Sequence, residues 1–108
     1  METMDCRSLD EVRAQIDSLD RRIVALLAER GAYVRQAARY KRDQAEVEAP
    51  QRVAAVIARV RALAAESGAD ERVVEAVYRA MISAFIEAEL SEHSRLRQGN
   101  GQVAGGGG

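Results

Sequence analysis

Apolar residues recur between residues 9 and 41 at alternating spacings of four and three: Val12, Ile16, Leu19, Ile23, Leu26, Tyr33 and Ala37 fall on one stripe. That spacing predicts one long helix from Leu9 to Lys41, roughly 50 Å at 1.5 Å per residue, whose seam wants partner helices. Ser8, followed three residues later by Glu11, forms a capping box that sets its start. Arg30 interrupts the stripe between Leu26 and Tyr33. A guanidinium there is costly unless an anion meets it or its stem reaches water.

Beyond the long helix, Arg42 to Glu48 is charged and weakly periodic, and Ala49 precedes a proline, which biases it away from helix. Residues 43–49 are therefore predicted as a loop. Pro50 suits a first helical turn, so a second helix is predicted from Pro50 to about Glu66, with Val53, Val56, Ile57, Val60 and Leu63 inward. Ser67-Gly68 ends it, and Asp70 caps a third helix that runs to about Leu96. Its inward set is Val74, Val77, Tyr78, Met81, Ile82, Phe85 and Ile86. Residues 1–7 read as a flexible leader, 8–97 as one helical domain, and 98–108, closing on four glycines, as a disordered tail.

Composition narrows the class. Apolar residues make up 47% of the chain but aromatics only 4%, and one Pro, no Trp and no alternating run leave little room for a sheet. The predicted class is all-α, with one long and two shorter helices per chain. A chain of 108 residues with so long a helix buries its seam poorly alone, so a homodimer is expected. Sixteen basic and 17 acidic side chains, spread along the chain for a net charge of -1, argue against nucleic acid as the main partner. The single cysteine, Cys6, excludes an intrachain disulfide and a cysteine metal cage. No signal-like segment opens the chain and the longest apolar run, Ile23 to Ala28, is six residues, so no membrane partner and a cytoplasmic location are expected.

Candidate chemistry lies in the charged residues that share the apolar faces. Lys41 follows Arg30 by eleven residues, which on a continuous helix is three turns and ~16 Å, so two long cations could converge on a small dianion. Arg13 lies roughly 100° round the helix and ~25 Å from Arg30, too far to join them within one chain. Glu89 continues the face of Ile82 and Ile86. As a protonated acid it could donate a hydrogen bond to a buried ligand oxygen; as a carboxylate it could only accept. Singly, each has a plainer explanation: Arg13 near Asp10 and Asp17, Lys41 at a helix end, Arg52 near Glu48, Glu89 beside a buried arginine, and His93, Arg59 and Arg61 on solvated faces.

Together the residues point further. Arg13, Ile16 and Asp17, then Arg30, Lys41, the Ala49-Pro50-Gln51-Arg52-Val53 segment and Glu89 resemble the all-helical chorismate mutase family, over about residues 5–93. Within it they look most like the isochorismate-pyruvate lyases that make salicylate for siderophores. The resemblance implies an intertwined helical homodimer in which each site takes one arginine from the neighbouring chain. It assigns Arg13 of the partner and Arg30 of the home chain to substrate carboxylates, Lys41 to the ether oxygen of the enolpyruvyl group, Arg52 to closing the loop, and Glu89 to the same ether oxygen. The reaction implied is pericyclic, with no metal or organic cofactor.

Two positions bear on the substrate. Mutases of this family commonly carry a glutamate just after the loop arginine, whereas Val53 stands here, as in the lyases. That favours isochorismate over chorismate. Glu89 occupies a position where lyases and bacterial mutases usually carry glutamine. The expected activity is isochorismate pyruvate-lyase with secondary chorismate mutase activity. The alternatives are a chorismate mutase, a mutase of an amino-substituted chorismate, and a non-catalytic helical dimer.

Overall fold

A computed structural model describes residues 2–106, with side chains up to residue 92 and at residues 94 and 95; the side chain of His93 and the last two residues of the predicted tail lie outside what is described. Four helices follow in order: α1 (Leu9–Ala38), α2 (Gln44–Glu48), α3 (Pro50–Ser67) and α4 (Glu71–Gly106). No strand occurs among the described residues. The all-α class is as predicted, with a short extra helix where a loop is expected. The chain divides into two compact units, Met1–Val34 and Arg35–Gly108.

In the first unit, residues 2–8 form neither helix nor strand, and α1 opens on Ser8. The Ser8 hydroxyl accepts the Glu11 N–H at 3.1 Å, and the Glu11 carboxylate accepts the Arg7 N–H at 2.7 Å. The box closes one residue earlier than the ideal pattern but satisfies the same class of orphan donors. The seam residues Val12, Ile16, Leu19, Ile23, Leu26 and Tyr33 are exposed in the single chain, Ile23 to 54% and Tyr33 to 64%.

The end of α1 departs from expectation. The helix stops at Ala38, and the Arg39, Tyr40 and Lys41 N–H groups bond to the carbonyls of Gln36, Ala37 and Ala38 at 3.2, 3.0 and 3.2 Å. These three-residue steps tighten the last turn and use up carbonyls a continuing helix would pair with later residues. Lys41 therefore sits beyond the helix, and its direction is set by the turn rather than by the α1 stripe.

In the second unit α3 packs against α4. Local signals fix three of their four ends. Pro50 occupies the first turn of α3; Gly68, at φ 77°, ends it with its N–H on the Ala64 carbonyl; and the Asp70 carboxylate accepts the Arg72 N–H at 2.9 Å at the start of α4. The fourth end lies further on than predicted, because α4 continues past Leu96 to Gly106. Extending an existing helix needs no new nucleus, and no proline interrupts residues 97–106.

Val56, Ile57, Val60 and Ile82 form the buried core of the hairpin, with Val53, Val74, Tyr78 and Ile86 packed around them. Leu63 and Val77, both predicted inward, are exposed, and Ala64 is buried instead. The buried α3 positions 56, 57, 60 and 64 define the inner stripe, and Leu63 falls to its side. Arg61, expected on a solvated face, pairs with Glu75 and with Glu71 at 3.6 Å, while Arg79 holds the other Glu75 oxygen at 2.7 Å. Fully burying one Val or Ile is worth roughly 1.5–3 kcal/mol, whereas exposed ion pairs return about 0–1 kcal/mol. The apolar cluster holds the hairpin and the pairs trim it.

The Arg79 hydrogen bond, followed by that of Arg61, holds the Glu75 carboxyl below the usual carboxylate range. A depressed folded value means that the pair's contribution is present above the unfolded pKa and fades as pH falls through the folded one. Glu75→Gln is accordingly expected to lower Tm slightly at neutral pH, with the difference from wild type closing on acidification. Thermal unfolding across that range checks it, and a pH-independent difference would show the carboxylate's charge to be irrelevant.

Candidate active site

The segment between α1 and α3 delivers a cation to α4. Lys41 Nζ donates to Glu89 Oε2 at 2.8 Å, joining residues 48 positions apart. Glu89 is only 7% exposed and is the buried charged residue among the described side chains, while the Lys41 side chain retains 23% exposure. An acid on an otherwise apolar helix face is tolerated because a charge-assisted hydrogen bond meets it. Lys41 stands in the turn that follows the end of α1 at Ala38.

Past Lys41 the chain is tied to itself by local bonds. Asp43 caps α2 by accepting the Glu46 N–H at 2.9 Å, and the Glu46 carboxylate returns to the Arg42 N–H at 2.5 Å and to Arg42 Nε at 3.0 Å. The backbone bond from Arg42 and then its side-chain bond lower the Glu46 pKa. Gln44 and Glu48 add a side-chain bond at 3.2 Å. This is the Ser8–Glu11 device repeated as Asp43–Glu46, a signal present in the sequence but unread there because five residues are too short to show periodicity.

Ala49 ends α2 and begins α3. It stands at φ 39° and ψ 62°, the only positive-φ non-glycine residue among those described. For a residue with a Cβ this left-handed conformation costs roughly 1–2 kcal/mol. It turns the chain sharply into Pro50, placing Arg52 in the exposed first turn of α3 and Val53 against the Val56–Ile82 cluster.

Of the six site residues named from sequence, Lys41 and Glu89 are in direct contact, and Arg52 and Val53 lie in the same compact unit. Arg13, exposed, and Arg30, half-buried, lie on α1 in the other unit. Among the described residues no three His, Cys, Asp or Glu side chains gather as a metal site, and no helix is long and apolar enough to cross a membrane.

An all-helical protein with a buried acid joined to a lysine from an interhelical turn is the class these features define. The chain belongs to the chorismate mutase type II family, whose model matches residues 12–90. It is also 36% identical over 93 residues to an isochorismate pyruvate lyase of Pseudomonas aeruginosa, an alignment covering 86% of this chain and 92% of that relative.

Proposed function

We propose that this enzyme is a homodimeric isochorismate pyruvate-lyase of the cytoplasm, needing no cofactor and having weaker chorismate mutase activity at the same site. The observation that carries the reading is the Lys41–Glu89 pair: a cation and an acid meet at a buried position, in a chain 36% identical to a lyase of that name. Val53 directly after Arg52 supports isochorismate over chorismate, because an apolar side chain at that position offers a ring hydroxyl no acceptor.

The products define what the residues must do. The enolpyruvyl methylene becomes the pyruvate methyl by gaining one hydrogen, and the ring becomes aromatic by losing one while its bond to the ether oxygen breaks. A hydrogen passing from ring to methylene as that bond breaks balances the reaction without an external oxidant or base. Negative charge grows on the departing ether oxygen, where the Lys41 ammonium donates a hydrogen bond, and protonated Glu89 would donate another. Arg30, with Arg13 of the second chain, holds the substrate carboxylates in the compact conformer that lets the hydrogen pass. Arg52 closes the entrance.

The dimer is supported by the exposed α1 seam, an apolar stripe long enough to take a second copy of the same helix. Incubation with isochorismate and chorismate in parallel, following salicylate, pyruvate and prephenate together, tests the activity. Equal salicylate and pyruvate from isochorismate, at much higher kcat/KM than prephenate from chorismate, is the expected result. Preferential prephenate formation would make the protein a mutase, the activity named in the family description, and would remove the argument from Val53.

A further inference from the structure

Val47 is the most deeply buried large side chain described, at 2% exposure, yet it belongs to a five-residue helix in a run of charged residues. It stands apart from the Val56–Ile82 cluster that holds α3 to α4, and the helix it belongs to packs against α4. The segment carrying Lys41 thus meets α4 twice, through the ion pair to Glu89 and through the short helix in which Val47, six positions further on, is buried.

Between these two anchors the chain has little freedom. The Arg42–Glu46 bonds, the Asp43 cap, the Gln44–Glu48 bond and the left-handed Ala49 tie residues 42–49 into one body. Seating one side chain of a rigid body on α4 sets the direction of its ends, Lys41 on one side and Arg52 on the other. The lysine alone is a poor locator. Its flexible stem must hold one geometry while a partly hydrated ammonium competes with water.

We propose that Val47 is a positioning residue for the reaction: its burial against α4 orients α2 so that Lys41 meets Glu89 at the reacting oxygen. The inference rests on the role given to Lys41 above. Val47 touches no substrate and acts through the turn that carries the lysine. The design separates location from chemistry, leaving Lys41 free to exchange Glu89 for a ligand oxygen while the backbone beneath it stays in place.

Val47→Ala, Val47→Ile, Lys41→Ala and the Val47→Ala/Lys41→Ala double variant test it. Val47→Ala should lose about 10- to 100-fold in kcat, the scale expected for small misplacement of a reacting group, and Val47→Ile should recover most of it. In the Lys41→Ala background the Val47→Ala change should cost nothing further in kcat, because the group it positions is gone. Hydrogen exchange supplies a readout independent of activity: the Glu46, Val47 and Ala49 amides should lose protection in Val47→Ala while those of the α3 core keep it. Full additivity of the two substitutions, or unchanged kcat and unchanged protection in Val47→Ala, would overturn the proposal. Wild-type protein inactive on isochorismate and chorismate would instead overturn the assigned reaction, with the exchange result still deciding whether Val47 anchors α2.

Discussion

Lys41→Ala should lower kcat by about 100- to 1000-fold, the range found when one preorganised donor is removed from developing oxyanion charge, with a much smaller change in KM. The physical reason is that the lysine faces an acid before substrate arrives. In the free enzyme its ammonium is already satisfied by Glu89 at 2.8 Å, so ground-state binding gains little from it. In the proposed reaction the ether oxygen acquires charge, and the same ammonium would then gain a stronger acceptor. The interaction then grows toward the transition state and appears in kcat.

On the proposed reading Glu89 controls how much of that donor is available: a carboxylate there competes with the ether oxygen for Lys41 and cannot donate, whereas a neutral side chain with a donor releases the lysine and adds a second hydrogen bond. Glu89→Gln should therefore keep kcat at or above wild type, whereas Glu89→Ala, which offers the oxygen no donor, should lower it. Turnover of the two variants with the same substrate gives the answer. Equal losses in both would reduce Glu89 to a structural partner of Lys41.

The sequence makes some of this arrangement legible and hides the rest for identifiable reasons. Helix boundaries at Ser8, Pro50, Gly68 and Asp70 are encoded in one or two residues each, so they are read directly. The end of α1 is not, because the apolar spacing runs on to Ala37 and no glycine or proline marks the turn at Arg39 to Lys41. Its consequence is local but chemical: Lys41 lies past the end of α1 and pairs with Glu89 of α4. Glu89 is recognisable as an acid on an apolar face, yet its partner lies 48 residues away, so spacing alone suggests no more than a buried arginine, and only the family resemblance brings Lys41 and Glu89 to one oxygen. Val47 is invisible for the opposite reason, since one valine among charged residues has no periodicity to announce burial.

Arg13→Ala and Arg30→Ala, each nearly inactive as purified, should together recover about a quarter of wild-type activity when unfolded and refolded as an equimolar mixture. The expectation follows from the length of α1. Both arginines lie on this single helix, seventeen residues and ~25 Å apart, so one small dicarboxylate cannot touch both in the same chain. In the proposed dimer a second chain laid along the exposed seam would remove the difficulty by bringing its own Arg13 to the first chain's Arg30. In a mixed dimer one site then inherits both intact arginines and the other inherits neither. Random pairing makes about half the dimers mixed, each with one working site of two, which gives the quarter. A shared site predicts a gain on mixing that depends on subunit exchange and saturates at that fraction. Activity no greater than the sum of the separate variants, from dimers shown to have exchanged, would confine each site to one chain and leave the α1 seam a purely structural interface.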